Sequence, residues 1–347
     1  VPDGPWQRAL DIRVIRQPAD LRRHLPRAAK ALALLGDPSQ WRGLDIGGGT
    51  NPRPLLTHLD YDRACKTSWE VHCIEQATAK ALAGHRAVQT AFQAGLSEFE
   101  MGLMFLAACG QTDAELPYPA IVAMNRNAAT LHYQHRDRER LPASERHSLL
   151  LDAGASFAGY ASDITRTHAA RRGEFATMVR DMARTQQSLC AQVKPGVSFP
   201  ELQLGAFTAL AELLARWGLV RMSAEEIVAA RIIDSFMPHG LGHLLGLQVH
   251  DVGGDLAGPR GRKLPAPQRF PRLRLIRRLE PGMVVTIEPG IYFIDSLLAR
   301  LKKSRHRRQV DWKKLAELRR YGGIRIEDNV LVTADGNRNL TREVQGP

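Results

Sequence analysis

The sequence predicts an α/β chain of the α+β kind, in which short apolar strands and longer amphipathic helices share one body. Three observations carry that expectation. Helical periodicity runs unbroken over 67–95, where Ile74, Ala77, Ala81, His85, Val88 and Phe92 recur at the spacing of one helix face. Brief apolar runs, three of them rich in β-branched residues, stand at 120–123, 149–153, 283–287 and 323–326, each the length of a strand. The chemically active carboxylates cluster on or beside those strands and not on the helices.

Taken in order, residues 1–60 hold short apolar runs broken by Pro18, Pro26, Pro38, Pro52 and Pro54, and read as a short N-terminal segment ahead of a main body at 61–347. Leu44-Asp45-Ile46-Gly47-Gly48-Gly49-Thr50 superficially resembles a glycine-rich nucleotide loop. Asn51-Pro52-Arg53-Pro54 follows where a helix is required, so the run reads as an interdomain turn. After the long helix, Ser97-Glu98-Phe99-Glu100 has the form of a helix start, with acids in the first turn. Two more amphipathic helices are expected at 173–192 and 200–217, separated by Lys194-Pro195-Gly196. The stretch 253–272 is rich in Gly, Pro and Arg and reads as a long loop, while 294–321 inserts a basic, partly helical segment between two Glu-bearing strands. Loops of that length inside a compact domain are often functional.

Composition narrows the class. A chain of 347 residues suggests two domains, and a hydrophobic fraction of 44% with mixed charge describes an ordinary soluble protein. No run approaches the roughly 18 apolar residues of a membrane span. The start, Val1-Pro2-Asp3-Gly4-Pro5-Trp6, lacks the design of a signal peptide. Cys65, Cys73, Cys109 and Cys190 form no CxxC, so a reducing cytoplasm is expected. Much of the net charge of +12 lies in 300–320, which includes Lys302-Lys303-Ser304-Arg305-His306-Arg307-Arg308. No aromatic residues interleave with these charges in a stacking pattern and no nucleic-acid motif accompanies them. The segment reads as a solvated loop, with a basic rim for anionic substrates as the second reading and no nucleic-acid partner.

The densest chemistry is Leu151-Asp152-Ala153-Gly154-Ala155 followed by Gly159-Tyr160-Ala161-Ser162-Asp163-Ile164-Thr165-Arg166-Thr167. A reversal at Phe157-Ala158 sets Asp152 directly opposite Asp163, with Cβ atoms roughly 4.5–5.5 Å apart. Like charges that close require a shared proton or a shared cation. Further donors follow: Phe236-Met237-Pro238-His239-Gly240-Leu241-Gly242-His243, then His250, then Glu288 and Glu327 in β-branched surroundings. An ionised Glu flanked by Ile is costly to bury unless paired or metal-bound. The glycines at 240 and 242 argue against a regular helix, so His239 and His243 are not a helical zinc pair, and no HExxH occurs. An oxygen-rich set with one imidazole suits Mn²⁺ or Co²⁺. Arg325 lies two residues before Glu327 on the same strand face, where it would hold Glu327 ionised.

In this order and with these flanks, Asp152, Asp163, His243, Glu288 and Glu327 resemble the ligands of the dinuclear metallopeptidases of the pita-bread fold. The runs DAGASFAGYASDITRT, FMPHGLGHLLGLQVHDVGG, RLEPGMVVTIEPGIYFIDSLL and YGGIRIEDNV resemble those of the bacterial Xaa-Pro dipeptidases (prolidases), relatives of the organophosphorus acid anhydrolases. The resemblance runs from about Tyr61 to the C-terminus. It implies a creatinase/aminopeptidase-like catalytic domain, a curved antiparallel sheet backed by helices, with 1–60 as a truncated form of the family's N-terminal α/β domain. It implies two divalent ions, Mn²⁺ first with Co²⁺ or Zn²⁺ as alternatives, bridged by Asp163 and Glu327. Glu288 would also shuttle the proton of the bridging water, and His239 would donate to the substrate carbonyl or the tetrahedral intermediate. His132 and His250 would line the pocket, Tyr118 would stand beside the metals, and Arg274 would grip the substrate's terminal carboxylate. His168 stands where relatives carry an aromatic residue and reads as structural. The implied activity is hydrolysis of Xaa-Pro dipeptides by a hydroxide bridging the two ions, in a cytoplasmic homodimer whose partner is a small peptide. Three alternatives stay open: an aminopeptidase on longer Xaa-Pro peptides, phosphotriester hydrolysis as a side activity, and a catalytically dead module that binds partners.

Overall fold

The computed structural model describes residues 13, 15–25, 32–41 and 49–345. The glycine-rich run at 44–48 and much of the proline-broken N-terminal segment lie outside the described residues. Within that segment β1 (Ala33–Leu34) pairs in parallel with β2 (Gly49–Thr50).

Three helices follow, α1 (Arg53–Arg63), α2 (Ser68–Ala94) and α3 (Glu98–Cys109). The start of α2 is set by a capping box, in which Thr67 Oγ1 accepts from Glu70 N at 3.3 Å and the Glu70 carboxylate accepts from Thr67 N at 2.8 Å. Ser97 and Glu100 repeat the device at α3, at 3.2 and 2.9 Å. The apolar face read from the sequence, Ile74 to Phe92, is the buried one.

The next strands are β3 (Ile121–Met124), β4 (Ser148–Asp152), β5 (Ser156–Phe157), β6 (Tyr160–Ala161) and β7 (Thr165–Ala169). β3, β4 and β7 form one antiparallel sheet in that order, and β5 and β6 form a hairpin. The hairpin corrects the expected register. Phe157 pairs with Tyr160, so the turn residues are Ala158 and Gly159, not Phe157 and Ala158. Both turn residues have positive φ, 50° and 86°, the backbone that a two-residue hairpin needs and that glycine adopts freely. Asp152 therefore lies opposite Thr165, and Asp163 is its diagonal neighbour. The slip is two residues, and an even slip keeps both carboxylates on one face.

Helices α4 (Glu174–Ala191), α5 (Phe199–Arg216) and α6 (Ala224–Ala229) come next. The second group of strands is β8 (Val284–Ile287), β9 (Gly290–Tyr292), β10 (Gly323–Arg325), β11 (Asp328–Val332) and β12 (Asn337–Asn339), and α9 (Leu340–Gln345) closes the described chain. β8, β11 and β12 form a sheet, and β9 pairs with β10, all antiparallel. Between β9 and β10 the basic insertion carries α7 (Asp295–Lys302) and α8 (Trp312–Leu318), whose Leu298, Leu301, Leu315 and Leu318 enter the core. The fold thus has two halves. In the first, α2 and α3 pack Val88, Phe92 and Phe105 against Val122, Leu149 and Leu151 of β3 and β4. In the second, α4 and α5 pack Met178, Phe207 and Leu214 against Ile291 and Ile324 of β9 and β10. The halves meet in a β-bridge between Thr165 and Glu327. Among the described residues no helix is long and apolar enough to cross a membrane.

Candidate metal centre

The site forms along the seam between the halves. Asp152 ends β4, Asp163 precedes β7, Glu288 follows β8, and Glu327 joins β10 to β11. His243 arrives on irregular chain, as its neighbouring glycines foretold. A Cβ on Gly242 would lie 1.9 Å from the Thr286 carbonyl oxygen, so only glycine lets this segment cross β8. The crossing is held by Thr286 N donating to His243 O (2.9 Å), Glu288 N to Leu241 O (2.8 Å) and His243 N to Thr286 Oγ1 (3.1 Å).

His243 Nδ1 donates to Leu244 O at 2.9 Å, which leaves the Nε2 lone pair facing the carboxylates. Nε2 lies 3.4 Å from Asp163 Oδ2 and 3.8 Å from Glu288 Oε1. Asp163, His243 and Glu327 are all buried and offer ligand atoms within 4.8 Å of one another. Tyr118 Oη reaches both Asp152 Oδ1 (2.8 Å) and Asp163 Oδ1 (2.5 Å), so one proton serves two acceptors. Burial pushes the Glu288 carboxyl up to about 7, with Asp163 and Asp152 adding to the rise and His243 and Arg325 opposing it. Glu327 is driven well above the carboxylate range by burial and then by its three acidic neighbours. Burial also raises Asp152, against the pull of Arg325. Four carboxylates crowded together, one imidazole with a free lone pair and no thiolate form a donor set that fits hard or borderline divalent cations.

Arg325 meets the expectation in part: its charge favours the ionised form of Glu327, but its hydrogen bonds go elsewhere. Its guanidinium pairs with Asp152, donates through Nη1 to Tyr292 Oη (2.7 Å) and through Nε to Thr165 Oγ1 (3.1 Å). Its hydrogen-bonded link to Glu327 runs through Thr165, whose hydroxyl donates to Glu327 Oε2 at 2.6 Å. The reason is that β10 ends at Arg325 and β11 begins at Asp328, in a different sheet, so the two side chains do not share one strand face.

His239 also has a partner that sequence reasoning missed. Its Nδ1 donates to Gly240 O (2.8 Å), so Nε2 is an acceptor, 3.0 Å from Tyr292 Oη. Arg325 already donates to Tyr292, which leaves the phenol proton for His239. Burial, then Arg325, lower the His239 pKa to about 4, so the ring is neutral with both nitrogens engaged inside the protein. Donation from His239 to a substrate needs the other tautomer. Tyr292 stood in the sequence as an unremarked aromatic in the strand after Glu288, and local pattern carried no signal for it.

A cavity of about 870 Å³ opens onto the cluster, and every expected site residue lines it. Of the expected residues, His132, His250 and Arg274 are the exposed ones. The His250 ring stands edge-on to His243, with centroids 4.4 Å apart. Leu247, Gln248 and Pro117 also line it and were not foreseen. His168 lies away from this cavity on β7, paired with Leu149, and burial lowers its pKa to about 4.

The model of metallopeptidase family M24 matches residues 72–334. The Xaa-Pro dipeptidase of Aeromonas hydrophila is 47% identical over 343 residues, covering 99% of this chain and 78% of its own length. That of Erwinia tasmaniensis is 43% identical over 349 residues, with the same coverage. The similarity therefore begins well before Tyr61, where the sequence runs alone suggested. Among solved structures, a substituted Escherichia coli aminopeptidase P in complex with substrate superposes with a TM-score of 0.67 at 25% identity, over 86% of this chain and 61% of its own. The zinc-substituted enzyme in complex with product gives 0.67 at 26%, again over 61% of that chain. This chain thus spans less than two-thirds of aminopeptidase P, and over that span it has the pita-bread architecture. The seam of carboxylates and one imidazole is what a divalent-metal hydrolase requires, and by sequence and fold the chain belongs to metallopeptidase family M24.

Proposed function

We propose that this chain hydrolyses Xaa-Pro dipeptides at the prolyl bond, and that residues 61–347 form the catalytic domain, within which the family match lies. The observation that carries the reading is the convergence of Asp152, Asp163, His243, Glu288 and Glu327 in a cavity lined also by Arg274, His132 and His250, in a chain 47% identical to an Xaa-Pro dipeptidase. The five donors would hold two divalent ions, Mn²⁺ first, which when bound supply a water ionised at neutral pH and a Lewis acid for the carbonyl.

The protein's own groups do the rest. Glu288 is the most solvent-accessible of the four carboxylates, its side chain 18% exposed, and its pKa near 7 suits taking a proton and returning it to the prolyl nitrogen. That nitrogen is a tertiary amide and must be protonated to leave. Tyr118 and Arg325 orient Asp152, while Thr165 orients Glu327. Arg274 meets the substrate's free carboxylate with a charge-assisted contact, supported by His132 and His250. His239 donates to the developing oxyanion once its proton moves to Nε2 and its bond to Tyr292 opens. The four free cysteines are compatible with a cytoplasmic setting.

The test is turnover of Gly-Pro, Leu-Pro and Xaa-Pro-Xaa peptides by purified protein loaded with Mn²⁺. Rapid cleavage of the dipeptides with slow cleavage of the tripeptides supports the assignment. Brisk tripeptide cleavage moves it to the aminopeptidase branch, a reading favoured by the likeness to aminopeptidase P. A metal-loaded protein that cleaves neither is a binding module.

A further inference from the structure

Arg166 does not line the cavity, yet it grips the backbone on both sides of the seam. Its Nη1 donates to Thr165 O (2.9 Å) and to Glu327 O (2.7 Å), and its Nη2 to Asp328 Oδ1 (2.7 Å). Thr165 O also accepts from Glu327 N at 3.0 Å, so the β-bridge and the guanidinium share one carbonyl. Asp328 is fully buried. Its second oxygen accepts from Arg342 Nε (2.8 Å) and Asn339 Nδ2 (2.9 Å), groups on and beside the C-terminal helix α9. A continuous chain of charge-assisted bonds therefore runs from α9 through Asp328 and Arg166 to the backbone of Glu327.

The consequence lies in what the seam spaces. Asp163 belongs to one half and Glu327 to the other, and their ligand atoms sit within 4.8 Å although each stands on a separate sheet system. A rigid planar fork can hold two carbonyls and a carboxylate at once, which a lysine ammonium on a flexible stem cannot reproduce. We infer that Arg166 is a positioning residue that fixes the spacing of Asp163 and Glu327, and that α9 sets its orientation through Asp328 and Arg342. The inference rests on the reading of the cluster as a divalent-metal site.

The experiment compares metal-free wild type, Arg166→Lys, Arg166→Ala and Arg342→Ala. Mn²⁺ affinity is read by competition with a chromophoric chelator, and the thermal midpoint of each apo-protein by calorimetry. Groups that orient metal ligands typically contribute about 10- to 100-fold in affinity. Arg166→Lys is expected to lose that much while its apo midpoint stays near that of wild type. Arg342→Ala, at a partly exposed side chain, should lose less in the same direction and fold normally. Added guanidinium ion should restore part of the affinity of Arg166→Ala. Wild-type affinity in both Arg166→Lys and Arg342→Ala overturns the inference. So does an affinity loss in Arg166→Lys that only tracks a falling apo midpoint, since that marks general packing. A wild type that binds no Mn²⁺ overturns the metal reading itself, and with it this inference.

Discussion

Asp163 links the tyrosine and the imidazole of the cluster, with Tyr118 Oη at 2.5 Å on one oxygen and His243 Nε2 at 3.4 Å from the other. Asp163→Asn makes a neutral amide of a proposed bridging ligand, so both metal content and activity should be lost; elemental analysis finding the variant fully loaded would exclude that role. Glu288→Gln should leave some metal bound but lower turnover by about 10²–10⁴-fold, the usual contribution of a proton-transfer group. Glu288 also makes a pH prediction for the metal-free protein. Its folded pKa of about 7 stands above the ordinary 4.5, so folded protein keeps a proton that unfolded protein has lost, and its contribution to stability fades as pH rises through that window. Chelated Glu288→Gln should therefore lose less stability between pH 5 and 8 than chelated wild type, measured by denaturant titration at each pH. Identical pH slopes would contradict the raised pKa. Arg274 is tested by substrate charge: Arg274→Ala should lower kcat/KM on Xaa-Pro acids more than on the corresponding amides, with metal content intact. Equal losses on acid and amide would show that Arg274 does not read the carboxylate.

At the scale of elements, the loop between β3 and β4 owes its shape to one buried carboxylate at the start of α3. Glu98 accepts from Met124 N (2.6 Å), Asn127 Nδ2 (2.8 Å), Tyr133 Oη (2.7 Å) and Asp137 N (2.8 Å). Three donors on the loop and one at the end of β3 converge on it, and that loop carries His132 into the cavity. Glu98→Gln turns an acceptor into an NH₂ facing donors, which should cost about 1–3 kcal/mol of stability, the penalty for a buried group left unpaired. It should also raise KM for Xaa-Pro dipeptides while leaving metal content unchanged, because no metal donor touches this loop. An unaltered KM in folded protein would separate His132 from substrate binding. The β5–β6 hairpin makes a related point: Gly159 decides the turn, and the turn decides which residue faces Asp152.

For the molecule as a whole, two sheet-and-helix halves are each packed around their own apolar cluster, while the acidic groups crowd the seam between them. Divalent ions that bind the folded seam and not the unfolded chain must stabilise the whole protein, by about 2.7 kcal/mol at a concentration 100 times the dissociation constant. Mn²⁺ should raise the thermal midpoint of wild type and have little effect on Asp163→Asn, which differential scanning calorimetry would show. A wild-type midpoint indifferent to Mn²⁺ would refute binding at the seam. The basic insertion is more than a solvated loop, since four leucines of α7 and α8 anchor it in the second core while its arginines and lysines mostly face outward.

Much was legible in the chain itself. Helix spans at 67–95 and 173–192 agree with α2 and α4 to within a residue at each end, because periodicity, capping boxes and terminal glycines are properties of near neighbours. The titratable residues expected in the cavity were also readable, since each proposed ligand sits in its own short, chemically distinctive context, whereas Leu247, Gln248 and Pro117 were not. Partnership was not. Arg325 and Asp152 are 173 residues apart, Arg166 and Glu327 161, and His239 and Tyr292 53. No local pattern says which acid an arginine will meet, or that a tyrosine bound to that arginine will engage a histidine's second nitrogen. Those choices arise only where two halves close on each other, because burial at the seam makes each ionised or polar group bond to whatever the opposite strand presents. The sequence by itself determined which groups are available for chemistry, and the tertiary structure alone decided which of them hold the others in place.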